Sequence, residues 1–264
     1  MAGTVNLLSS YKSGGYVWNT AKGAAWWAVV QSRGGGSGVD DTLKTLIDNG
    51  IAYLEGTGDI NQLDRLWIWR GDSIAARTSL VNPSSTAPIE VNSPTFHAVN
   101  GYTFDGASTY LNLKFNPFTD GVKYAGKDDA SFGVSHYDAV DEYAKYDFGS
   151  STFTEAIIAA IETPGGFGWL LNDATYQTQP FYGDGNYSMK CTSGGAVMGL
   201  LNGNSITTGH SSVAVPNLEL YAGCIDFNGS PSGFKNVRQR HIYFGSYNAD
   251  LSNLDYALNN YFLA

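Results

Sequence analysis

The sequence predicts an all-β sandwich or barrel with one helix before it and one after it, and three observations carry that reading. Charged side chains are scarce: 15 Lys and Arg plus 24 Asp and Glu make up 15% of 264 residues, against roughly 25% in an average soluble domain. Glycine (32) and the aromatics (17 Tyr, 13 Phe, 6 Trp) fill the gap, a composition suited to short strands joined by tight turns. From residue 66 to residue 247, short runs of period-two alternation are separated by Gly-rich turns, the spacing of a sandwich or barrel. The rings supply enough apolar surface to exclude disorder, and a core of this size needs no disulfide staples.

The elements follow in order. Residues 1–38 are rich in Gly, Ser and aromatics, with Tyr16, Trp18, Trp26 and Trp27 the most prominent rings. Trp and Val runs bounded by glycines predict one or two short strands here, and the run 34–38 reads as a flexible joint. An arm this aromatic must pack on its own chain or on another, and the residues leave both open. Tyr16, Trp18, Trp26 and Trp27 are therefore candidate attachment or oligomerisation residues. Residues 39–62 read as a helix and linker. Asp40 is a plausible N-cap and Asp41 suits the first turn, while Leu43, Leu46, Ile47, Ile51 and Leu54 share one face and Gly56 and Gly58 end the helix. Residues 63–264 form the sandwich. It closes with a helix in which Ser252-Asn253-Leu254-Asp255 resembles a capping box, and Leu251, Leu254, Leu258, Tyr261 and Phe262 face inward.

Charge and motif content exclude several functions. The net charge is −9, and the single basic run, Lys235-Asn236-Val237-Arg238-Gln239-Arg240, reads as a strand with Arg238 and Arg240 on one face; a nucleic-acid ligand is not expected. The longest apolar stretches, 24–30 and 156–161, fall short of the roughly 20 residues of a membrane helix, so no membrane insertion is expected. The N-terminus has neither a basic start nor an apolar h-region, which predicts synthesis and folding in a cytoplasm. Cys191 and Cys224 read as buried thiols, with a disulfide open if their strands are neighbours. The histidines His97, His136, His210 and His241 are scattered, so no metal or cofactor is expected.

Catalytic patterns are equally sparse. Asp128-Asp129 and Asp138-Ala139-Val140-Asp141-Glu142 read as solvated turns, there is no Gly-x-Ser-x-Gly elbow, and His136 and His241 read as packed or surface residues. Asp105, Asp120, Asp173, Asp184 and Asp226 sit in turns, where Asp serves the backbone without any cation. Sugar binding needs aromatic platforms beside amide and carboxylate groups. Trp169, Asn172, Asp173, Tyr176, Tyr182 and Tyr187 could supply both, with sandwich core and cross-strand pairing as the competing role.

Several segments in order carry a resemblance: Leu63-Asp64-Arg65-Leu66-Trp67-Ile68, Val91-Asn92-Ser93-Pro94-Thr95-Phe96, Gly101-Tyr102-Thr103-Phe104-Asp105-Gly106, Phe115-Asn116-Pro117-Phe118-Thr119-Asp120-Gly121, Pro216-Asn217-Leu218-Glu219-Leu220-Tyr221, and Ile242-Tyr243-Phe244-Gly245 before the last helix. Over residues 60–264 this series resembles the concanavalin A-like (laminin-G-like) jelly-roll domain of tailed-phage and prophage virion proteins. The resemblance implies an antiparallel jelly-roll sandwich with a face that holds sugar in lectins and glycoside hydrolases. It also implies a virion setting, made in a bacterial cytoplasm. Hydrolases of this fold usually carry Glu-x-Asp-x-Glu on one strand, and that pattern is absent. The expected protein is thus a non-enzymatic virion structural protein, a spike or decoration on head or tail. Its expected partners are other capsid or tail proteins, further copies of itself (a homo-oligomer, a trimer favoured) and a host-surface glycan. The alternative is a polysaccharide-degrading glycoside hydrolase of the laminarinase-like fold.

Overall fold

The computed structural model describes residues 11–13, 15–138, 144–152, 156–162, 166–173, 177–180, 183–191, 196–201, 204–211 and 213–264. Two sheets face each other, antiparallel throughout except where Ile225–Phe227 runs parallel to Tyr146–Ser151. The first runs in the order Gln177–Pro180, Gly166–Asp173, Ala156–Glu162, Tyr146–Ser151, Tyr221–Ala222, Tyr110–Asn112 and Ile89–Val91, with the hairpin Ile225–Phe227/Ser230–Ser232 joined to Tyr146–Ser151. The second runs Asn204–Ser211, Ala196–Leu201, Gly185–Cys191, Ser131–His136, His241–Gly245 and Leu63–Ile68. Non-consecutive neighbours in both sheets give a jelly-roll-like sandwich rather than a meander. The all-β prediction holds.

Strand alternation sorts the side chains into two cores. Trp67, Phe132, Val134, Tyr187, Ile242 and Phe244 of the second sheet meet Leu111, Phe148, Ile157, Trp169 and Ala222 of the first. Leu66, Ile68 and Tyr243 point the other way, into a layer of helices. That layer contains α1 (Ala21–Ser32), α2 (Asp41–Thr57) and, at the chain's end, a helix at Leu251–Ala257 continued by a π-helical turn, Leu258–Phe262. The helices cover one face of one sheet, so the sandwich is three layers deep on that side.

α2 forms as expected. Asp40 accepts the Leu43 N–H at 2.8 Å, and Gly58 ends the helix at φ 86°, a conformation glycine adopts without strain. The last helix starts two residues earlier than the capping-box reading: Asp250, not Ser252, is the N-cap, accepting from the N–H groups of Ser252 and Asn253.

The N-terminal segment departs furthest from expectation. Tyr11–Ser13 and Tyr16–Trp18 form the expected short strands, but the Trp26-Trp27-Ala28-Val29-Val30 run is helical, within α1. Thr20 caps it by accepting the Gly23 N–H at 3.0 Å, and Gly23, Trp26, Trp27 and Val30 are buried at 3–4 spacing, a helical face. The β preference of Trp and Val reflects packing surroundings and yields when a helix buries them better. The segment is not a free arm. Trp18, Trp26 and Trp27 are buried among themselves, with ring centroids 6.1–6.4 Å apart, and the Trp26 indole N–H donates to the Thr78 carbonyl. Asp48 of α2 accepts from the Thr20 N–H and hydroxyl, and the Lys44 ammonium lies 4.7 Å from the Trp27 ring centroid. Tyr16 is half-buried, its hydroxyl donating to Thr45. The chain itself covers these rings. Nor is 34–38 a flexible joint. A Cβ on Gly36 (φ 105°) would lie 2.6 Å from Trp27, and Asp72 accepts the Gly36 N–H.

Candidate functional site

The aromatic cluster proposed for sugar contact does not assemble on a surface. Trp169 is 1% exposed and Tyr187 0%; each points from its own sheet into the core between them, because Trp169 and Leu171 share the inward face while Leu170 takes the other. Asp173 ends the strand Gly166–Asp173. Tyr176 and Tyr182 lie outside the described residues. Asn172 is fully buried at φ 57°, and both ends of its side chain and its carbonyl are engaged. Its Oδ1 accepts from the Tyr124 hydroxyl at 2.6 Å, its Nδ2 donates to the Lys127 carbonyl, and its own carbonyl accepts from the N–H groups of Val213 and Ala214. The sugar platform expected at Trp169 and Tyr187 is corrected: those rings are core, and Asn172 is a scaffold.

The other singled-out groups have structural partners too. Asp128 pairs with Lys127, Asp138 with Arg238, and Asp129 accepts from the Ser246 hydroxyl and the Tyr247 N–H. His136 is buried against both Asp147 oxygens at 3.0 Å. Asp105 accepts the N–H groups of Ala107, Ser108 and Thr109 at 2.9 Å each. Burial opposes its charge, yet these donors hold the carboxyl below the usual carboxylate range. Cys191 and Cys224 are buried and not joined in a disulfide, and burial pushes the Cys224 thiol up. Among the described residues no three His, Cys, Asp or Glu side chains group as a metal site.

What Asn172 supports is a cleft of about 430 Å³ at one end of the sandwich. One wall begins at Asn116, whose side chain accepts the Phe118 N–H at 3.0 Å with Pro117 at the first helical position. This caps a single turn, Pro117–Asp120, and leaves the Phe118 ring 62% exposed. The next loop is held from below by the buried Asp64 carboxylate, which accepts the N–H groups of Val122, Lys123 and Tyr124 at 2.8–3.2 Å. Tyr124 is buried, which pushes its hydroxyl well above the usual phenol range, so it stays a neutral donor to Asn172. The facing wall is residues 213–217, anchored on the Asn172 carbonyl and joined to the first by the Asn116 Nδ2 donating to Asn217 Oδ1 at 2.8 Å.

The result is an apolar surface, Phe118 and Val215, beside amide groups and the Lys127 rim, held on buried hydrogen bonds. Such a site can bind a ligand with an apolar face and hydroxyl edges. Aromatic density along the sequence points to residues 169–187 and not to Phe118 and Asn217, which lie in separate, sparsely aromatic segments. The usable signal was Asn-Pro-Phe: a cap, a helix start and a ring on a turn too short to bury it.

No family model matches the sequence, and no curated protein matches it. Solved structures do. A mutant Trypanosoma rangeli sialidase displaying trans-sialidase activity is similar with a TM-score of 0.52 at 8% identity, over 83% of this chain and 40% of that one. The NanB sialidase from Streptococcus pneumoniae has a TM-score of 0.42 at 12% identity, over 59% and 26%. A Ruminococcus gnavus IT-sialidase CBM40 bound to α2,3-sialyllactose has 0.42 at 13%, over 65% and 97%. The fold is a jelly-roll-like β-sandwich. The chain spans 23%, 52% and 26% of the first three structures it matches. The expectation of a non-enzymatic protein is corrected: the sandwich is similar to that of a sialidase displaying trans-sialidase activity, so this architecture gives no ground for setting catalysis aside. The neighbours reported carry no link to a phage particle.

Proposed function

We propose that this protein is a carbohydrate-binding β-sandwich whose ligand seats in the cleft between residues 116–127 and 213–217. The observation that carries the reading is Phe118, 62% exposed on a turn capped by Asn116 and followed by a loop anchored on the buried polar residues Asp64, Tyr124 and Asn172. A sugar's C–H face is a fitting partner for an exposed aromatic face beside amide groups. The similarity to a sialidase supports the same ligand class, at the level of shared architecture. The virion setting and a homo-oligomeric, trimeric state belong to this reading through the sequence resemblance. Particle fractionation and solution mass measurement test them.

The binding test is a glycan array with the native chain and Phe118→Ala. An exposed ring can be removed with little change in stability, so loss of signal in the variant reports binding rather than folding. Equal array signals for both chains would refute the cleft, and reducing-end release measured in the same mixtures separates a binder from a hydrolase.

A further inference from the structure

The cleft does not end at Asn217. From it two segments run side by side along the first sheet: the Leu113 N–H donates to the Leu220 carbonyl and the Leu220 N–H to the Phe115 carbonyl, and Asn112 stands opposite Tyr221. Leu111, Leu113, Phe115, Leu220 and Ala222 all turn into the core. Alternation therefore places their neighbours on the outer face, and the contacts confirm it rung by rung. Asn116 bonds Asn217 at 2.8 Å. Lys114 pairs with Glu219 at 3.0 Å, and the Asn112 Nδ2 donates to the same carboxylate at 2.6 Å. Beyond them the Tyr110 ring packs 4.9 Å from Tyr221 and 6.1 Å from Phe234. The Tyr221 hydroxyl hydrogen-bonds the Asp226 carboxyl.

This stripe has an aromatic group at each end and amides between them; Lys114 and Glu219 neutralise each other, and the Asp226 carboxyl is buried and engaged by Tyr221 and the Gly229 N–H. Tyr110–Asn112 is regular strand and Lys114 takes a left-handed turn (φ 51°), so the stripe from Tyr110 to Asn116 is shorter than the roughly 20 Å of a fully extended run and still longer than one pyranose ring. We infer that it is a track for an extended neutral oligosaccharide, with one ring of the sugar on Phe118 and the far rings over Tyr110 and Phe234. This rests on the carbohydrate-binding reading and adds chain length and charge to it. A fully ionic track would favour charged glycans. Here Glu219 is already engaged by Lys114 and Asn112, which leaves amide and aromatic groups to choose the ligand.

The test is calorimetric titration of the full chain with two length series, gluco-oligosaccharides and chito-oligosaccharides, from monosaccharide to hexamer. Affinity should rise with length in the series that binds. Tyr110→Ala, and separately Phe234→Ala, should lower the ratio of hexamer to monosaccharide affinity by about tenfold, the size of one lost stacking contact. The monosaccharide affinity of each variant serves as its folding control. Length-independent affinity that Phe118→Ala abolishes would overturn the track and leave the cleft standing. No binding of any member by the native chain would overturn both.

Discussion

His241 makes this fold sensitive to acid. The side chain is 0% exposed, and neither ring nitrogen has a hydrogen-bond partner among the described residues. The ring lies nearly parallel to that of Tyr243, at 10° and 6.4 Å. Burial first, and then the Arg240 charge, pushes its pKa down from 6.5 to about 3. The folded chain thus refuses a proton that the unfolded chain accepts as pH falls below its ordinary value. The unfolded state binds more protons in the window between the two values, so stability falls with pH across it. A pH of about 4.5 lies about two pH units below the unfolded value and above the folded one, so the loss accumulated there is ~3 kcal/mol. That is a large share of the roughly 5–15 kcal/mol that holds a domain folded. Urea denaturation of the native chain and His241→Gln at pH 7 and at about pH 4.5 reads this directly. The stability lost between the two pH values should be smaller in the variant by ~3 kcal/mol, whatever the substitution costs at neutral pH. The same loss in both chains would refute the assignment, because the carboxylates and the other histidines are common to them.

Two further outcomes follow from the packing. Trp26→Ala removes a buried ring and its bond to the Thr78 carbonyl, and should cost ~3–5 kcal/mol in chemical denaturation; near-native stability would mean that α1 adds little to the second core. Asp64→Asn takes a charged acceptor from three loop N–H groups and should cost ~2 kcal/mol. It should also speed amide exchange at residues 122–124 and weaken glycan binding, and unchanged exchange there would contradict the scaffold role of Asp64.

Local signals were read well where one segment carried them whole. Asp40 to Gly58 hold cap, apolar face and terminator within a single helix; the structure reproduces the cap, the face at Leu43, Ile47, Ile51 and Leu54 and the stop at Gly58, while Leu46 is half-buried and Gly56 lies inside the helix. The Trp26–Val30 run was read by residue type, although Gly23, Trp26, Trp27 and Val30 at 3–4 spacing after Thr20 already held a helical signal. The functional cluster was harder. Aromatic density drew attention to Trp169 and Tyr187, yet density alone does not distinguish an inward ring from an outward one. That depends on which face of the sheet the strand's phase assigns to each residue.

Composition, alternation and caps determined by themselves that this chain is a β-sandwich flanked by helices, because those preferences act within a few residues of backbone. Only the tertiary structure decided that Asn116 meets Asn217 and Lys114 meets Glu219, 101 and 105 residues away. It likewise decided that three tryptophans near the N-terminus serve the chain's own core. Such pairings are settled by the free energy of packing two whole sheets and a helical layer together, a quantity that no short window of sequence contains.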